Sequence, residues 1–162
     1  MRYRASWLIA PFALVMLVGA TANAQQTMAN GGPMDAMLTD SLKWSPIAPP
    51  GFDKGLEMAV VSGDPSVGGQ PYVLRLRFPN DYRFPAHWHP VIENLTVLEG
   101  RFMIAPGEHR DDSKLKTYRP GDFLRFAAKH PHFGGVRGAT TVQLHGVGPF
   151  EIVVVGSPED KR

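Results

Sequence analysis

The sequence predicts an all-β protein, built as an antiparallel sandwich or barrel. Three observations point there. The 162 residues include 17 glycines and 15 prolines, which cut the chain into short elements. Apolar and polar residues alternate over short runs, most cleanly at residues 72–78. There Tyr72, Leu74, Leu76 and Phe78 share one face, and Val73, Arg75 and Arg77 the other. No long stretch of the mature chain carries the 3.6-residue period of an amphipathic helix, and many short strands without such helices make an antiparallel β fold.

The first 24 residues read as an export signal, not as part of the fold. Arg2 and Arg4 form a basic start, residues 7–20 are almost wholly apolar, and Ala22-Asn23-Ala24 offers small residues where a signal peptidase cuts. The apolar run is short for a bilayer span. A lipid-anchored form would need a cysteine, and the chain has none. The mature chain is therefore expected in the periplasm or outside the cell, free of the membrane after cleavage.

Residues 25–55 are rich in Gly, Pro, Met and polar side chains and read as a flexible arm, with a short helix at 35–42 and an extended piece at 44–47. The barrel domain is assigned to residues 56–158. Its strands are expected at 56–61, 72–78, 84–89, 94–99, 101–105, 123–127, 140–146 and 150–155. Pro90 stops the third of these. Gly100 reads as the turn of a hairpin between the fourth and fifth. Residues 106–116 form a polar loop. Gly68-Gly69 and Gly134-Gly135 read as turn glycines; phosphate-cradling loops are absent. Arg75 and Arg77, on an exposed face, are expected to shield a sheet edge or meet a second subunit, and a homodimer is expected.

Charge and cysteine content narrow the chemistry. The export signal holds two arginines and no acid, so the 17 basic and 15 acidic residues of the whole chain become 15 of each. The whole-chain pI of about 9.0 thus carries no argument for nucleic acid, and no basic stripe interleaved with aromatics is present. Without cysteine there are no disulfides, thiolate metal sites or cysteine nucleophiles. A transition metal would have to be held by histidine and carboxylate.

The stretch His87-Trp88-His89-Pro90-Val91-Ile92-Glu93 supplies such a set. Alternation puts His87 and His89 on one side of their strand, with Trp88 facing away. Pro90 turns the chain, and Glu93 opens the next strand on a face shared with Leu95 and Val97. A carboxylate among apolar neighbours needs a partner or a cation. Two imidazoles and a carboxylate suit Fe, Mn, Zn, Ni or Cu better than Ca or Mg. A further ligand is sought in His130-Pro131-His132, which follows the turn Pro120-Gly121-Asp122 and a strand; on residue type alone His130 and His132 both qualify.

His87, His89, Glu93 and Gly100, spaced His-x-His, three residues, Glu, six residues, Gly, resemble the first motif of the cupin superfamily. Pro120-Gly121-Asp122 with Pro131-His132 resembles the second, and the match favours His132 over His130. Residues 143–150 are also similar to small single-domain cupins, including the metal-binding cupin domain of ChrR-type anti-sigma factors. The resemblance covers residues 72–155. It departs from the family at Ala127-Ala128-Lys129, where a Pro-x-Gly is usual, and at Val136, where an asparagine is. It implies a double-stranded β-helix, the jelly-roll barrel, holding one divalent transition metal through His87, His89, Glu93 and His132. It further implies action on a small molecule, foremost as a mononuclear metal dioxygenase with Glu93 doubling as a base. Isomerase or lyase chemistry and a non-catalytic metal- or ligand-binding module are the alternatives.

Around this centre, Gln143 and His145 share a strand face and are candidates for touching a substrate or orienting a ligand, as are His130 and Phe133. Phe102 and Phe126 are further candidates for lining the cavity.

Overall fold

Period-two alternation gives each strand one apolar face, and two sheets closed on those faces make this fold. The computed structural model describes residues 34–155. Residues 1–24, read as an export signal, and residues 25–33 of the arm lie outside the described residues, as do residues 156–158 of the barrel domain. The strands are β1 (Ser45–Ile47), β2 (Leu56–Ser62), β3 (Pro71–Phe78), β4 (Arg83–Trp88), β5 (Glu93–Glu99), β6 (Phe102–Pro106), β7 (Lys116–Tyr118), β8 (Phe123–Phe126), β9 (His132–Val136), β10 (Thr140–Val147) and β11 (Val153–Val154). One sheet runs β1-β2-β3-β10-β5-β8 and the other β11-β4-β9-β6-β7. Every strand pairing among the described residues is antiparallel. This is the jelly-roll architecture expected. No helix among the described residues is long and apolar enough to cross a membrane.

The core fills the space between the sheets. Leu56, Leu74, Leu76, Leu95, Val97, Val142 and Leu144 face inward from the first sheet, and Phe84, Phe102, Ile104 and Val136 from the second. Each such buried side chain contributes roughly 1.5–3 kcal/mol through removal from water. Phe78, Phe84 and Phe102 meet with ring centroids 5.7–6.1 Å apart and plug the core on one side.

Four expectations are corrected. The arm helix at 35–42 is only a single 3-10 turn, Thr39–Ser41, flanked by extended Leu38 and Leu42. So short a segment cannot offset helix nucleation, and burying Leu42 in extended form serves the barrel better. The extended piece expected at 44–47 is β1, which pairs with β2. Second, Gly100 does not close a hairpin. β5 pairs with β10 and β8, and β6 with β7 and β9, so Gly100 is the corner where the chain changes sheets. Its φ of 80° favours glycine, and a Cβ there would overlap Thr140 Oγ1 and the Ala139 carbonyl.

Third, Gly134 and Gly135 are not a turn but the middle of β9, a strand whose two glycines hid it from pattern reading. A Cβ on Gly134 would overlap the Met103 carbonyl and sit 2.6 Å from Phe84 Cζ, so only glycine lets β9 pass here. Fourth, Arg75 and Arg77 shield no edge, because β3 lies between β2 and β10. Arg77 pairs with Glu57 of the adjacent strand at 2.7 Å and covers the Trp44 ring at 4.4 Å. Arg75 donates to Gln143 Oε1 at 3.2 Å.

Candidate metal centre

A bulge in β4 aims the first ligand. Phe84 is opposite Gly134 and His87 opposite His132, so β4 spends Pro85 and Ala86 where β9 spends Phe133 alone. The extra residue lets Phe84 and His87, three apart, both face the lumen. Proline suits the position because a bulge asks for no ladder N–H. Alternation resumes beyond it and brings in His89, after which Pro90 ends the strand. Glu93 opens β5, and His132 opens β9 between His87 of β4 and Pro106 of β6.

These elements bring His87, His89, His132 and Glu93 together. None is more than 6% exposed. Ring centroids lie 4.4 Å apart for His87 and His132, 5.1 Å for His87 and His89, and 5.4 Å for His89 and His132. Glu93 Oε2 stands 3.2 Å from His89 Nε2 and 3.9 Å from His132 Nε2. One ring nitrogen from each histidine falls within 4.8 Å of the other two, so the three can hold a metal ion.

The backbone fixes which nitrogen that is. His87 Nδ1 lies 2.8 Å from the Pro85 carbonyl, His89 Nδ1 2.7 Å from that of Glu151, and His132 Nδ1 3.2 Å from that of His130. A carbonyl only accepts, so each Nδ1 carries the proton and each Nε2 is left to the lumen. His89 Nε2 is buried with no neutral hydrogen-bond partner and faces only the Glu93 carboxylate, 3.2 Å away. Three tethered imidazoles, an orphaned ring nitrogen and an adjacent carboxylate fit a divalent transition metal.

The electrostatics agree with neutral His87 and His132 beside an anion. Burial, reinforced by His132 and His89, holds His87 well below the usual histidine range. Burial likewise brings His132 down to about 4. Burial would also lower His89, but the Glu93 charge and the Glu151 carbonyl outweigh it and raise it. Burial would raise Glu93, yet His89 and His132 pull it below its ordinary value. Tyr72 is buried with an unpartnered hydroxyl, and burial with the Glu93 charge keeps that hydroxyl protonated.

The free lumen is small, about 30 Å³, room for roughly two waters. Of its 17 lining residues, only His87, His89, Glu93 and His132 are polar. Phe102 and Phe126 line it as expected. Phe133 does not; it is buried on the other side of β9 with Ala86 and Ala105. Gln143 and His145 lie on the outer face of β10, where Gln143 meets Arg75 and His145 neighbours Phe123; their strand turns Val142 and Leu144 to the lumen instead. His130 is exposed, its Nδ1 on the Ala128 carbonyl, and stands outside the centre. Sequence reading assigned none of Phe52, Phe150 and Ile152 to the lumen: Phe52 lies in the arm, and Phe150 and Ile152 fall in irregular chain, because the strand expected over 150–155 is only the two-residue β11, Val153–Val154.

No family model and no curated protein sequence matches the chain. Solved structures do. The polyketide cyclase RemF from Streptomyces resistomycificus is 17% identical, with 79% of this chain and 89% of that one covered and a TM-score of 0.63. A cupin-2 domain protein from Rhodospirillum rubrum is 12% identical, with coverages of 78% and 82% and a TM-score of 0.58. An RmlC-like cupin from Shewanella frigidimarina is 14% identical, with coverages of 67% and 86% and a TM-score of 0.53. At these identities the likeness establishes the fold alone: the chain has the double-stranded β-helix architecture of those structures.

Proposed function

We propose that the chain is a mononuclear metal cupin, exported to the periplasm or beyond, in which His87, His89, His132 and Glu93 hold one divalent transition metal and a small, mainly apolar molecule reacts. The observation that carries this reading is that these four are the only polar side chains in an otherwise apolar lumen. Buried polar groups at such density need a shared partner, and their donor set suits Fe, Mn, Zn, Ni or Cu. Bound there, such a metal supplies redox or Lewis-acid chemistry. We favour a dioxygenase-like oxidoreductase.

The chain's own residues do the rest. The three main-chain carbonyls hold the imidazoles in one tautomer. The phenylalanines exclude water and select apolar molecules. Glu93, the one carboxylate in the lumen and ionised well into acid, is the group able to accept a proton from a bound molecule. The small lumen favours a second reading, a binding module that holds a metal or a very small ligand without turnover.

Elemental analysis of protein purified without chelator or affinity nickel, beside a His87→Ala/His89→Ala variant, tests the centre. About one metal per chain, absent from the variant, is the expected result. Oxygen uptake with small aromatic and carbonyl compounds then separates the two readings. A chain that carries no metal and takes none up on titration would sink both.

A further inference from the structure

A second cavity, of about 570 Å³, opens on the outer face of the five-stranded sheet, away from the lumen. Its size lies in the range of ligand pockets, about 300–1,000 Å³. Arg83, Arg101, Arg110, Arg119 and Arg137 line it, five of the eight arginines among the described residues, against only Asp81 and Asp112. That is a local excess of three positive charges on a chain whose mature part is balanced.

The strand register explains why the charge gathers. Phe102 of β6 is opposite both Tyr118 of β7 and Val136 of β9. Arg101, Arg119 and Arg137, each one residue beyond that level, therefore stand abreast on three neighbouring strands, spaced by about 4.8 Å per strand. The backbones of Arg101 and Arg137 are hydrogen-bonded there at 3.0 Å. Asp112 is already taken by Arg110 at 2.6 Å and Arg83 at 3.7 Å. The three abreast have no acidic side-chain partner among the described residues. Like charges so placed repel unless an anion joins them.

The wall is built, not incidental. The Arg110 side chain is only 4% exposed and donates Nη1 to the Gly134 carbonyl at 3.0 Å, fixing the loop that carries Asp112. Gly135 leaves the floor bare. No aromatic residue lines the cavity, so it offers no platform on which nucleic-acid bases stack. Lysine is absent as well, and planar guanidinium forks favour paired oxygens.

We propose that Arg101, Arg119 and Arg137 head a binding site for a small organic polyanion, a molecule bearing two or more carboxylate or phosphate groups. The site is independent of the metal centre. Calorimetric titration of the full chain, stripped of metal, with inorganic pyrophosphate and with citrate tests it; stripping the metal removes chelation at the lumen as a source of signal. The expected result is one saturable site per chain for at least one probe, weakened by added salt. Affinity should fall at least about tenfold in Arg101→Ala/Arg137→Ala, as loss of charge-assisted contacts implies, and stay unchanged in Arg125→Ala, an exposed arginine outside the cavity. Circular dichroism confirms that both variants fold. The stronger probe assigns phosphate or carboxylate. No saturable uptake of either, an equal loss in Arg125→Ala, or binding only to anionic vesicles or an oligonucleotide would overturn the proposal.

Discussion

Phe150 lies flat against the imidazole of His89, their ring centroids 5.2 Å apart and their planes 18° from parallel. Phe126 stacks on His132 in the same way at 4.4 Å, and Phe52 meets His87 edge-on at 5.2 Å. Every histidine of the centre thus has its own phenylalanine, which desolvates it and limits its rotation.

Phe150→Ala is expected to widen the lumen without removing a ligand atom. Loss of a fully buried phenylalanine costs about 3–5 kcal/mol; Phe150 is half-buried, and about 2 kcal/mol is expected. Metal content should stay near one per chain, while larger molecules gain access. Chemical denaturation and binding of a size-graded ligand series check this; a variant unchanged in both would remove Phe150 from the lumen wall.

The histidine pair 130 and 132 separates cleanly by substitution. His132→Ala should weaken metal binding by more than the ~10–100-fold that follows loss of an outer partner. His130→Ala, an exposed position, should leave it within about twofold, since surface changes rarely matter. Competition against a chromophoric chelator measures both.

Acid should destabilise the metal-free protein. In the unfolded chain histidine takes its proton near 6.5. In the fold, burial keeps His87 well below that and His132 at about 4. Between those limits the unfolded state binds more protons, so stability present above pH 6.5 is lost as the pH falls toward 4. Glu93, also depressed, works in the same direction. His89, raised, works the other way, its stabilisation being lost as the pH rises, but it stands alone. Tm should therefore fall from pH 7 to 4, and His132→Gln should flatten the curve. Because His89 is held protonated more readily than usual, metal uptake near neutrality should also release a proton, measurable by calorimetry in buffers of different ionisation enthalpy.

Gly134→Ala should be costly although it adds one methyl. The Cβ meets a main-chain carbonyl that cannot move aside and the Phe84 ring at 2.6 Å. Overpacking of this kind costs about 1–3 kcal/mol. The affected strand carries His132 two residues earlier, so metal affinity should fall with stability. Gly69→Ala meets no neighbour and is the control for glycine replacement, its cost limited to backbone conformation at φ 76°.

The sequence disclosed β3, β5 and β10 because their apolar faces alternate without interruption. It disclosed His87, His89 and Glu93 because a strand and a proline fix their faces locally. It concealed β9, since Gly134 and Gly135 have no side chain to show a period. Gly100 misled because a corner between sheets and a hairpin ask the same glycine conformation. Gln143 and His145 share a face as read, but which face depends on long-range pairing that places Val142 and Leu144 inward. Phe52 and the Glu151 carbonyl reach the centre through irregular chain, and at Glu151 the strand pattern read over 150–155 misled, since the strand there is only Val153–Val154.

The carbonyls of Pro85, Glu151 and His130 that tether the three imidazoles belong to the main chain. No side-chain substitution can delete them. The centre is accordingly robust to drift in the residues around it but fragile to a change in chain length. An insertion or deletion in the β4 bulge, before His132 or ahead of β11 would re-aim a carbonyl and free an imidazole to turn, even with every ligand intact.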